Sequence, residues 1–156
     1  MTATSTVESK LSADSTRVAG QGRNRSRWLV GIWSAQILLA LLFGAAGAMK
    51  VTMSPEALAA AGMSEAVVLP PWLLHFIGLS ELAGAVGIVL PTLTGIMPRL
   101  TPLAALGLTT IQVLAMGFHL GRGEFAAMAP INLTLLGLSL FVLWGRTRRA
   151  PASARW

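Results

Sequence analysis

The sequence predicts an all-α integral membrane protein, a four-helix bundle with both termini in the cytoplasm. Three observations predict it. Of 156 residues, 54% are hydrophobic and only 12% are charged, and mean hydropathy is +0.67. A soluble domain of this length carries about 25% charged residues. Four apolar stretches approach the roughly 20 residues that a bilayer helix needs. The charges gather outside those stretches, with Lys10, Arg17, Arg23, Arg25 and Arg27 before the first and Arg146, Arg148, Arg149 and Arg155 after the last.

The elements follow in order. Residues 1–27 read as a disordered basic tail, rich in Ser, Thr and Arg. Its Glu8 and Asp14 argue against a transit peptide, which is poor in acids. The first span is Trp28 to Met49. Ala46 to Ala48 has the small-residue look of a signal-peptidase site, but the apolar run exceeds the roughly 7–15 residues of a cleaved signal, so the helix is read as retained. Ser54-Pro55-Glu56 then reads as N-cap, first-turn proline and first-turn acid, with Gly62 ending a short helix. This loop, from Val51 to Pro71, lies on the outer surface or folds back over the bundle.

The second span is Trp72 to Leu90, with Pro91 and Pro98 bracketing the turn after it. The third is Leu100 to Leu120, where Thr101 reads as N-cap and Pro102 as first-turn proline. The fourth is Phe125 to Trp144, and Pro130 either starts a shortened helix or kinks it one turn in. Trp28, Trp72 and Trp144 fall at span ends, as interfacial anchors do. The domain so defined covers residues 28–145, and residues 146–156 form a basic C-terminal tail. Both tails and the turn holding Arg99 are basic, whereas the other loops mix Lys50 with Glu56 and Glu65, and Arg122 with Glu124. That bias sets both termini inside. Small residues recur four apart (Gly44 and Ala48, Ser80 and Gly84, Ala83 and Gly87), a spacing for close helix packing and, alternatively, for homo-oligomers.

One acid lies deep in the second span. Glu81 stands about nine residues in, about 13–14 Å at 1.5 Å per residue. A bare carboxylate there costs at least several kcal/mol, so it must face the bundle, be paired, or be protonated. Helical phase puts Gln112 and His119 on one face of the third span and Gln36, Phe43 and Lys50 on one face of the first. The expected site is an outward-opening polar funnel. Lys50, His75, His119, Arg122 and Glu124 form its rim, and Glu81, Gln112 and Asn132 its floor. Lys50, Glu81, Gln112 and His119 are the leading candidates for a proton or ligand site, with His75 and Asn132 secondary. Two geometric gaps accompany it. His75 lies about 120° around the helix from Glu81, and Lys50 stands as much as two turns above Glu81 and needs a shifted helix to reach it.

Each residue also has a structural reading. Lys50 with Glu81 is most simply an ion pair or clamp, and Gln112 and Asn132 are interhelical hydrogen-bonders. Haem between His75 and His119 is disfavoured against interfacial hydrogen bonding. No metal site is expected, since two histidines and a distant Glu lack tight ligand spacing. With no cysteine, thiolate redox centres, Fe–S clusters and disulfides are excluded. Nucleic acid is not an expected partner; the basic flanks point to anionic lipid headgroups.

The pattern resembles the DoxX-like family. "FGAAGAMKV" (Phe43 to Val51) resembles the end of that family's first helix, where a Gly precedes a Lys at the membrane edge. "IGLSELAGAVGIVLP" (Ile77 to Pro91) is similar to its second helix, and "RLTPLAALGLTTIQVLAMGFHLGRGE" (Arg99 to Glu124) to its third helix and following loop. The resemblance covers roughly Trp28 to Arg146. It implies a small four-helix protein of the bacterial inner (plasma) membrane, and carries over Lys50, Glu81 and His119. The wider DoxX family includes subunits of thiosulfate:quinone oxidoreductase and proteins associated with membrane redox or thiol-stress complexes. The function expected is a non-catalytic subunit or scaffold of such a redox complex, without a cofactor of its own. The alternatives are a quinone-linked oxidoreductase subunit, with quinone at the outward pocket, and a small-molecule transporter or sensor.

Overall fold

The computed structural model describes residues 2–151, with side chains from Ser26 to Pro151. Helix α1 is Thr2–Thr52, α2 Pro55–Ala60, α3 Pro71–Thr94, α4 Leu100–Gly121 and α5 Phe125–Trp144. A 3₁₀ turn, Ser64–Val67, follows α2, and a π turn, Gly145–Arg149, extends α5. The described residues hold helices and turns but no strand. Four segments are long and apolar enough to cross a membrane: Ser26–Thr52, Pro71–Thr94, Leu100–Gly121 and Phe125–Arg149. Of the expected disordered tail over residues 1–27, residues 1–25 fall outside the described side chains.

The bundle is apolar outside and mixed inside. Leu41, Phe76, Leu103 and Leu114 are each at least 60% exposed, as suits surfaces facing lipid. The buried set combines Leu39, Phe43, Ala85, Ile88, Ala105, Leu108 and Val142 with Gln36, Lys50, Glu81, Thr101, Gln112, His119, Asn132, Ser139 and Arg146. Helices are the required backbone solution here, because no water reaches their N–H and C=O groups. With no hydrophobic drive between helices in lipid, small residues and polar contacts must bring them together.

Glycines set the approach of the helices. A methyl group built on Gly47 would stand 2.6 Å from the Gly78 carbonyl oxygen, and one on Gly78 would stand 2.9 Å from that of Gly47. Here α1 and α3 touch backbone to backbone. Further along α3, Gly84 faces Leu108 and Gly87 faces Ala104 of α4. The Thr92 and Thr101 hydroxyls share a 2.7 Å hydrogen bond between the same two helices.

Three local expectations are refined. Pro91 does not bracket the turn after the second span: it lies buried inside α3, which runs on to Thr94. Its missing N–H leaves the Gly87 carbonyl without a helical donor, a defect that spanning helices tolerate. Helix α3 stops instead where Gly95 adopts φ +76° and its N–H reaches the Pro91 carbonyl at 3.0 Å. Thr101 is not the N-cap of α4. Arg99 takes that position without a side-chain cap, while Pro102 does sit in the first turn. Pro130 lies within α5, which starts at Phe125, so the helix is not shortened.

The segment after α1 folds back over one end of the bundle. Ser54 caps α2, accepting from the Ala57 N–H at 3.3 Å, and Gly62 turns the chain with φ +93°. Leu58 and Ala66 bury against Leu74 of α3, with Met49, Met53, Met63 and Leu69 around them. We call this the capped end. The opposite, basal end carries Trp28, Arg99 and Trp144.

Candidate functional site

The Gly47–Gly78 contact decides what happens one turn away on each helix. Lys50 follows Gly47 by three residues, Glu81 follows Gly78 by three, and both side chains therefore emerge beside the closest backbone approach. Lys50 Nζ donates to Glu81 Oε2 at 3.0 Å and to Oε1 at 3.1 Å, with both residues buried. The two-turn gap expected from straight helices is closed by this crossing. Lys50 consequently belongs with the floor of the expected funnel and not with its rim. Glu65, from the 3₁₀ turn of the cap, brings Oε1 to 3.9 Å from the same ammonium.

A second cluster joins the two loops of the capped end. Glu124, between α4 and α5, receives Arg122 Nη2 at 2.8 Å and Nε at 3.0 Å on Oε1. Its Oε2 accepts from the Ser64 hydroxyl at 2.8 Å and lies 3.2 Å from His119 Nδ1. The Arg122 guanidinium also stands 5.5 Å from the centre of the Phe118 ring. Arg122 first, then Ser64, with His119 contributing, holds the Glu124 carboxyl down at about 2 against the opposing effect of burial. Glu124 in turn raises Arg122 further above its ordinary value.

The other expected residues take separate places. His75 is exposed and its Nδ1 lies 2.7 Å from the Pro71 carbonyl of its own helix, whereas His119 is buried on Glu124. The two imidazoles do not share a cluster. Gln112 is buried, and among the described residues its Oε1 has no hydrogen-bond partner. The α3–α4 registry set by Gly84 with Leu108 and Gly87 with Ala104, continued one turn, brings Gln112 level with Glu81. Asn132 is buried in α5. Among the described residues no three His, Cys, Asp or Glu side chains are grouped to hold a metal ion.

Sequence reasoning missed two participants. Glu65 sits in a loop with no periodicity to aim it. Arg146 looks like the first residue of a basic tail, yet it is 5% exposed, and its Nε donates to Gln36 Oε1 of α1 at 2.9 Å. The one available hint was Gln36 itself, an amide on the Phe43–Lys50 face that needs a partner of its own.

A mixed interior with buried polar groups, an apolar exterior and four spans define a multi-pass membrane protein. This chain belongs to the DoxX-like family, whose model matches residues 34–142. No curated protein and no solved structure matches it.

Two expectations follow from the site. Removing one partner of a buried ion pair costs about 3–5 kcal/mol because a lone charge remains, while replacing both by apolar residues is close to neutral. Glu81→Gln should therefore lower unfolding stability in detergent by that order, and Lys50→Met with Glu81→Leu should recover most of it; additive losses would deny the coupling. Acid supplies the other. The Glu124 carboxyl is depressed to about 2 from an ordinary 4.5. Its stabilisation is complete above about 4.5 and is lost as pH falls from there towards 2. Melting temperature against pH should fall less steeply across that window in Glu124→Gln than in the unaltered protein; parallel curves would mean that Glu124 gains nothing on folding.

Proposed function

We propose that this protein is a non-catalytic membrane subunit, or scaffold, of a redox complex in the bacterial plasma membrane. Membership of the DoxX-like family supports the redox setting, since the wider DoxX family includes subunits of thiosulfate:quinone oxidoreductase. The observation that carries the scaffold reading is the pairing, at the capped end, of Lys50 with Glu81 and of Glu124 with Arg122 and His119. Lys50 is engaged by Glu81 with Glu65 close by, and Glu124 by Arg122, Ser64 and His119. Groups locked in this way fasten helices and loops. A turnover site needs groups free to meet a substrate and change protonation.

A quinone-linked role is the second reading, and Gln112 favours it. A buried acceptor without a partner is unfavourable as it stands and is satisfied by a hydrogen-bond donor from outside the chain. A quinol hydroxyl at the depth of Glu81 is such a donor.

Extraction in mild detergent from the native host, followed by native mass spectrometry, tests the choice. The scaffold reading expects a co-purifying protein and no bound quinone. A bound quinone whose loss follows Gln112→Leu would replace it with the second reading.

The basal end carries Arg27, Arg99, Arg146, Arg148 and Arg149, whereas Lys50 and Arg122 at the capped end are matched by carboxylates. This bias supports a cytoplasmic basal end with both termini inside. The chain has no cysteine, which makes single-cysteine labelling clean. In intact cells a membrane-impermeant maleimide should label Ala61→Cys and spare Thr147→Cys; the reverse pattern inverts the topology.

A further inference from the structure

Among the residues whose side chains are described, the basal end concentrates positive charge without a carboxylate beside it. The acids among those residues are Glu56, Glu65, Glu81 and Glu124, and all four belong to the cap or the capped half of the bundle. Arg146 is buried there on neutral acceptors only. Its Nε and Nη2 both donate to Gln36 Oε1, and its Nη1 stands 3.4 Å from the Ala150 carbonyl. Trp33 lies against the guanidinium, with 5.3 Å to the ring centre. The Gln36 amide passes on to the Ile88 carbonyl, so α1, α3 and the end of α5 fix this charge in place. Neutral partners satisfy donors but leave the positive charge uncancelled.

Three residues on, Arg149 is held differently. Its guanidinium sits 5.4 Å from the Trp28 ring centre and 5.0 Å from that of Trp144. The two indoles meet edge to face, with centroids 5.2 Å apart. Aromatic faces stabilise a cation but accept no ordinary hydrogen bond, so the planar fork keeps donors for an anion. Arg148 is exposed beside it. Trp28 and Trp144 are span-end tryptophans, which sit at headgroup level.

We propose that the basal end binds the phosphodiester of one anionic phospholipid. Arg149 is the direct ligand, Trp28 and Trp144 hold its orientation, Arg148 adds a second donor, and the buried charge of Arg146 supplies the attracting field. A guanidinium fork matches two phosphate oxygens at once. Diffuse basicity near the membrane surface would need neither the tryptophan pair nor a buried arginine. Inorganic phosphate has the same chemistry, but the tryptophans place this fork where lipid phosphates lie.

The test is native mass spectrometry of the full-length protein in mild detergent, titrated with phosphatidylglycerol or phosphatidylcholine at equal concentration. One phosphatidylglycerol per chain should persist under activation that strips phosphatidylcholine. Arg149→Gln should weaken retention about fivefold, since one arginine at the membrane surface contributes that order. Arg149→Lys keeps the charge without the fork and should fall between. Arg99→Gln removes the same charge at the same end, away from the tryptophan pair, and should leave retention nearly unchanged. Equal loss from Arg99→Gln and Arg149→Gln, or equal retention of both lipids, overturns the proposal. Inorganic phosphate at millimolar concentration that displaces the lipid through Arg149 also overturns it, assigning the site to free phosphate.

Discussion

Backbone contact between α1 and α3 at Gly47 and Gly78 governs the capped half of the molecule. Without side chains there, the helices approach until a methyl group on either would meet the other's carbonyl oxygen. That proximity lets a lysine at the membrane edge reach a glutamate well inside the bilayer. An isolated Glu81 carboxylate in hydrocarbon would be intolerable, and an isolated Lys50 nearly so. Each is acceptable because the other is 3.0 Å away, and the cap gains an anchor because Glu65 approaches the same ammonium. Two small residues thus determine whether three charged ones can be accommodated.

The two ends of the bundle solve the same problem with different chemistry. At the capped end, charges of opposite sign neutralise one another, and α2 with the 3₁₀ turn covers them. At the basal end, one cation is satisfied by an amide and a carbonyl and another by aromatic faces. Among the described side chains, the capped end pairs its buried charges locally, and the basal end holds its arginines on neutral partners.

Much of the frame was legible in the sequence because hydropathy is a strong signal in a bilayer and tryptophans mark its edges. Ser54, Pro55 and Gly62 likewise announced α2 through capping chemistry that depends on local residues alone. Pro91 misled because a proline that ends a helix in water can be carried inside one in lipid. Lys50 and Glu81 were recognised as potential partners, but their separation was measured along straight helices, and the glycine crossing that closes the gap is a property of two segments together. Arg146 was hidden by its neighbours. Among several arginines after an apolar run, nothing local distinguishes the one that turns inward.

The chain positions of these contacts impose an order on assembly in the membrane. Lys50 and Glu81 are 31 residues apart, and both belong to the first pair of spans. Their charges can cancel once those two spans have met, with no contribution from α4 or α5. Gln36 and Arg146 are 110 residues apart, so the first span must wait for the last before its buried amide meets the guanidinium. The capped-end pair therefore acts as an early latch, and the basal pair records that all four spans have arrived.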